Sequence, residues 1–172
     1  YHSNPLHPIY SVAKLASNTI ADLSDPPELQ TVYPDARISE HDPHRELMIL
    51  VIGETARADH FSLFGYDRQT TPVLESMQSL HSFEHVSSCG TSTAVSVPCI
   101  FSQLHRSDFS LDKANRQENL LDVLRRAGVS VLWRDNNSDS KGVAERVPHE
   151  DYKQHDTNPA CDVECRDVGM LD

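Results

Sequence analysis

Residues 47–52, Leu-Met-Ile-Leu-Val-Ile, form an unbroken apolar run that Gly53 ends. A short continuous run of this kind bounded by glycine predicts a strand buried on both faces. Buried central strands belong to sheets covered by helices, so the run predicts an α/β architecture. In such sheets ligands gather outside the carboxyl ends of the strands, and Glu54 sits just past this one. A second unit follows the same grammar. Residues 119–127 predict a helix with Leu120, Leu121, Val123 and Leu124 on its apolar side. Gly128 stops it, 129–133 predict a second buried strand, and 134–141 a polar loop. Between these units, Thr71-Pro72 opens a helix running to Leu80, and 82–88 is mixed sequence that could form a short strand. Residues 93–104 predict another helix, with Pro98 tolerated only near a first turn. No internal repeat or low-complexity run is present.

The flanks are different in kind. Residues 1–21 place Ile9, Val12, Leu15 and Ala16 at helical spacing after Pro5 and Pro8, with Ser11 as a candidate cap. They predict a short amphipathic helix lying on a membrane or on its own domain. Residues 22–45, rich in Pro, Asp, Glu and His, read as a linker. The net charge of −11 is concentrated outside the centre of the chain. Residues 22–46 and 149–172 each carry seven acids and two bases, whereas 47–148 carry twelve acids and ten bases. No basic stripe exists, which argues against a nucleic-acid partner. No run approaches the roughly 18 apolar residues of a membrane span, and without a basic n-region followed by an apolar stretch no signal peptide is expected in residues 1–21. A chain that begins with Tyr1 is expected to be a processed or recombinant piece of a longer protein. The four cysteines, Cys89, Cys99, Cys161 and Cys165, permit two disulfides in three connectivities. The local pairing is the simplest. Separations of ten and four residues match zinc-ribbon pairs poorly. Disulfides are therefore favoured over metal or free thiols, and with them an oxidising compartment.

Three polar clusters follow apolar elements: Gly53-Glu54-Thr55, the stretch from Cys89 to Thr93, and the loop from Asn136 to Lys141. In a doubly wound sheet such loops can converge on one edge. The middle cluster puts small hydroxyl residues after Gly90 at a predicted helix start, where backbone amides and the helix dipole favour an anion. A hydroxyl there could attack phosphorus or a carbonyl carbon, if a base or a bound metal activates it. The alternative is a plain capping residue. Glu54 offers a hard oxygen ligand for a divalent cation, or is a solvated loop acid. Lys141 with Asn137 and Ser138 could hold a phosphate, or form a solvated loop. None of the ten histidines falls in an H-E-x-x-H pattern, and most are expected at the surface.

Taken together, these motifs resemble a known family. Residues 51–60 (VIGETARADH), 88–99 (SCGTSTAVSVPC), 133–142 (WRDNNSDSKG) and 165–171 (CRDVGML) are similar, in order, to segments of the lipid A phosphoethanolamine transferases, which include the mobilised colistin-resistance enzymes. Residues 8–12 (PIYSV) resemble the segment joining the membrane part to the catalytic domain. The resemblance implies an alkaline-phosphatase-like αβα sandwich with a mainly parallel sheet, in the sulfatase-like superfamily. It implies that 1–21 is a juxtamembrane helix, 22–45 a linker, and 46–172 the N-terminal part of a periplasmic catalytic domain. It also implies zinc, with Glu54 as a ligand and Thr93 as both ligand and nucleophile. Asn137, Ser138 and Lys141 would lie near the bound phosphoethanolamine or lipid phosphate, and Cys89–Cys99 and Cys161–Cys165 would be disulfides. The implied reaction takes phosphoethanolamine from phosphatidylethanolamine to lipid A at the outer face of the bacterial inner membrane, conferring polymyxin resistance. A hydrolase of the same superfamily is the alternative. The family's later Asp-His zinc ligands lie beyond the position of Asp172, so the 172 residues alone are expected not to turn over.

Overall fold

The computed structural model describes Tyr10, Val12 and residues 28–39, 44–53, 55–137 and 139–171. Tyr10 and Val12 are helical and exposed; the rest of the helix expected over 1–21 lies outside the described residues. Four α-helices follow: α1 (Pro72–Ser76), α2 (Thr93–Phe101), α3 (Leu111–Asn115) and α4 (Leu120–Arg126). Two short strands, β1 (Trp133–Asp135) and β2 (His149–Asp151), pair in parallel with Trp133 opposite His149 and Asp135 opposite Asp151. Parallel neighbours need a crossover rather than a tight turn. Residues 136–148 supply it, and that crossover carries Lys141.

The core forms where α2 and α4 meet the crossover. Val97, Phe101, Leu121, Val143, Ala144 and Val147 are buried together, with Ile52, Val131 and Trp133 packed against them. Phe101 and Trp133 meet edge to face at 5.6 Å, the arrangement their ring quadrupoles favour. α4 begins in a reciprocal cap: Asn119 Oδ1 accepts from the Leu121 and Asp122 amides, and Asp122 returns a carboxylate to the Asn119 amide. It ends at Gly128, whose φ of +98° is left-handed, as expected for a glycine stop.

The described part of the 22–45 stretch is held firmly. Val32 is buried. Gln30 bridges the chain at Gln117, and Ile38 donates its amide to Ala127 O at 3.2 Å. Arg126 Nη2 donates to the carbonyls of Val32 (2.5 Å) and Tyr33 (3.1 Å) and pairs with Glu118 Oε2 at 3.0 Å. Glu118 Oε2 in turn accepts from the Val32 amide. A proline- and acid-rich composition thus coexists with a docked backbone, because the partners come from α4 and the residues flanking it rather than from the segment itself.

Some local expectations are corrected. Residues 47–52 are not a strand: Leu47, Met48, Ile49, Leu50 and Val51 are exposed, and only Ile52 reaches the core. The apolar run specifies that two faces seek burial. Burial also needs a strand alongside, and no described strand lies beside it. Residues 82–88 likewise form no strand. The helices over 71–80 and 93–104 end earlier than expected, at Ser76 and Phe101. The second strand begins at Trp133 and takes in Arg134 and Asp135. Pro98 lies at the sixth position of α2, past the first turn, so the Ala94 carbonyl lacks its usual amide donor.

Candidate functional site

Thr93 opens α2, and Ser92 before it is extended, with no side-chain cap. The amides of Val95 and Ser96 close onto Ser92 O, so the helix's own hydrogen-bond ladder begins after Thr93 and Ala94. The loop leading in is shaped by its own residues. Ser88 Oγ donates to Gly90 O at 2.7 Å, and the Cys89–Cys99 disulfide ties the loop to the far end of the helix. Gly90 is required by space rather than by dihedral: a Cβ there would lie 2.9 Å from Val95 Cγ1. The loop therefore lies directly over the first turn that carries Thr93.

The crossover meets this helix start. An open cleft of about 530 Å³ is lined by Ala94 beside Thr93, by Leu111 and Asn115 of α3, and by Asp139, Ser140, Lys141, Gly142 and Glu145. Lys141 adopts φ +53° and Gly142 φ +88°. A left-handed lysine is uncommon and persists only where its surroundings hold it. Here Asp139 Oδ1 accepts from the Lys141 amide at 2.7 Å and meets its ammonium at 3.0 Å. The hydrogen bond from the Lys141 amide, then that from its side chain, holds the Asp139 carboxyl below the ordinary aspartate value. Ser140 is buried, and its Oγ accepts from the Ala144 amide.

The expected site residues are only partly brought together. The Thr93 segment and Lys141 share the cleft. Asn137 is exposed, donates its amide to Asp135 Oδ1 at 2.8 Å, and does not line the cleft. Glu54 and Ser138 lie outside the described residues. Thr55, next to Glu54, holds φ +54°, which for a β-branched residue is a marked departure. Nearby, Arg57 forms a two-point pair with Asp59 at 3.0 and 2.6 Å; this hydrogen-bonded pairing raises the guanidinium pKa and lowers that of the carboxyl. Both expected disulfides are present. The seven described histidines are exposed, as expected.

Leu111, Asn115 and Glu145 were not legible as cleft residues, because nothing in their sequence context marks them. At the carboxyl end of β1, Asp135 is buried, and its Oδ2 has no hydrogen-bond partner. Among the described residues no group of three or more His, Cys, Asp and Glu could hold a metal ion. Thr93 is thus the one described member of the expected zinc ligands, and the described donor set does not by itself fit a zinc centre, which takes at least three protein ligands.

Comparison with known proteins agrees with the motif order. A family model described as Sulfatase matches residues 46–172. Phosphatidylethanolamine transferase Mcr-2 of Escherichia coli is 48% identical over 99% of this chain and 34% of its own length. Phosphoethanolamine transferase EptA of Salmonella typhimurium is 46% identical over 72% of this chain and 22% of its own. Among solved structures, the integral membrane protein lipooligosaccharide phosphoethanolamine transferase A of Neisseria meningitidis superposes with a TM-score of 0.80 at 38% identity, covering 98% of this chain and 31% of that one. The chain spans about a third of the length of two curated relatives that it matches over nearly its whole extent, Mcr-2 and Mcr-1 of Escherichia coli. The parallel pair, the flanking helices and these likenesses give a sulfatase- and alkaline-phosphatase-like α/β fold. The chain belongs to the sulfatase family, on its phosphoethanolamine-transferase branch, and covers part of the catalytic domain.

Proposed function

We propose that the whole protein transfers phosphoethanolamine from phosphatidylethanolamine to a phosphate of lipid A through a covalent threonine intermediate. The observation that carries this reading is the meeting of the Thr93 helix start and the Lys141 turn in one open cleft. A hydroxyl-bearing helix start and a cation at one cleft suit a phosphate diester. Thr93 Oγ1 attacks phosphorus, the bond to the diacylglycerol oxygen breaks, and diacylglycerol leaves with the proton Thr93 gave up. An oxygen of the lipid A phosphate then attacks the same phosphorus, and the bond to Thr93 breaks to restore its hydroxyl. The first-turn amides of α2 and its dipole favour the phosphoryl anion, and the Lys141 ammonium adds charge in the same cleft. Asn137, outside this cleft, and Ser138 are proposed to lie near the bound phosphoethanolamine or the lipid phosphate in the whole protein.

Zinc is the proposed cofactor, with Glu54 and Thr93 as its ligands from this chain; bound there, it would acidify the Thr93 hydroxyl. Two ligands fall short of a zinc centre, so the whole protein must supply the others. The amphipathic helix of 1–21 and the linker of 22–45 are proposed to join a membrane part to the catalytic domain, at the periplasmic face of the inner membrane. Polymyxin resistance is the expected cellular outcome. The lipooligosaccharide in the name of the Neisseria relative supports the acceptor class. The Sulfatase description of the matching family favours a second reading, hydrolysis with water as acceptor. However, Thr93-Ala94-Val95 lacks the Cys/Ser-x-Pro-x-Arg context of sulfatase nucleophiles. In the whole protein Thr93→Ala should abolish transfer to lipid A; transfer that persists in that variant would refute the assignment. Ethanolamine phosphate released at the same rate with and without acceptor would favour the hydrolase.

A further inference from the structure

Lys141 is left-handed, and Asp139 holds its amide and ammonium from the amino-terminal side. The residues after Lys141 are clamped from one side by α4 and its cap. Asn119 Nδ2 donates to Val143 O at 2.8 Å, while Asn119 Oδ1 caps the helix. Asp122 accepts from Arg146 through Nε at 2.9 Å and Nη2 at 2.6 Å. Arg125 Nη1 donates to Arg146 O. Val143 and Ala144, between these anchors, are buried. The segment 143–146 is therefore fixed to α4 at both ends, and Lys141-Gly142 is the short span between that clamp and the buried Ser140.

We propose that Asn119 is a positioning residue: its side-chain amide, through Val143 O, sets Lys141 in the cleft that the start of α2 also lines. The role in turnover rests on the reading of Lys141 given under Proposed function; the conformational role does not. Asn119 is suited to this because its two ends act separately. The oxygen satisfies the helix start, and the nitrogen, free of that duty, reaches the crossover. Serine caps a helix about as well as asparagine but has no amide to reach Val143. Asn119→Ser therefore removes the tether and spares the cap.

The test has two arms. In the first, amide hydrogen exchange is measured on the whole protein. Asn119→Ser should speed exchange at Lys141, Val143 and Ala144 by about tenfold, the scale of one lost hydrogen bond, and leave Val95 and Ser96 of α2 unchanged. Equal acceleration everywhere, or none in the crossover, overturns the proposal. In the second, transfer is measured in the whole protein for Asn119→Ser, Lys141→Ala and the double variant. If Asn119 acts through Lys141, the double variant is no slower than Lys141→Ala alone; losses that multiply overturn it. A protein with no transfer activity in any form would refute the function reading, and the exchange arm would still decide the positioning claim.

Discussion

Replacing Gly90 by alanine probes how the nucleophile segment is seated. The φ of Gly90 is not left-handed, so alanine meets no backbone penalty there. The penalty is steric. The new Cβ would lie 2.9 Å from Val95 Cγ1 and 3.2 Å from Val95 Cβ. Turning Val95 about χ1 moves Cγ1 but leaves Cβ in place, and a β-branched residue in a helix has one strongly preferred rotamer. Either the loop lifts or the first turn of α2 shifts. Overpacking of this kind costs about 1–3 kcal/mol. Restricting the unfolded chain returns about 0.4–1 kcal/mol, so a net loss of about 0.5–2 kcal/mol is expected. Val95→Ala removes the worse of the two contacts and leaves the milder one. Urea unfolding of the wild type, both single variants and the double variant closes a cycle. The account predicts that the two changes are coupled favourably by about 1 kcal/mol. Additivity to within about 0.3 kcal/mol would refute the packing argument.

Two other perturbations follow from the ion pairs. Arg126→Ala removes two carbonyl contacts to residues 32 and 33 and the partner of a largely buried Glu118. It should cost about 1–3 kcal/mol by chemical denaturation and open 28–39 to limited proteolysis; unchanged resistance would contradict the docking role. Asp139 is the second case. Its pKa is lowered by the Lys141 amide and ammonium, so its contribution is present above the unfolded aspartate pKa and is lost as pH falls through the folded one. A carbon-detected titration should place its midpoint below that of Asp139 in the unfolded chain, and Lys141→Ala should move it back only in part, because the amide remains. A midpoint at or above the unfolded value would contradict the geometry.

Particular residues explain what could be read from the sequence and what could not. The helix over 119–127 was legible because its cap, apolar face and stop glycine are all local, and the structure realises each of them at Asn119, Leu121 and Gly128. The Thr93 helix start was legible for the same reason. The 47–52 run was misread at the level of local structure, since strand formation depends on a neighbour that periodicity cannot name. The docking of 28–39 was missed because its partners, Glu118 and Arg126, lie more than eighty residues away. The cleft was half legible. Lys141 stood out in a polar loop, but its left-handed backbone and its clamp by Asn119, Asp122 and Arg125 depend on tertiary contacts. Asn137, close in sequence to the turn, does not line the cleft and instead donates its amide to Asp135 Oδ1, a tertiary detail that spacing does not show.

The central claim is that Thr93 carries the transferred group. The most direct measurement exposes the whole protein to phosphatidylethanolamine without acceptor and follows the peptide containing Thr93 by mass spectrometry. The account predicts a phosphoethanolamine adduct on Thr93 that disappears when lipid A is added. An adduct on another residue, or transfer to lipid A with Thr93 never modified, would contradict it.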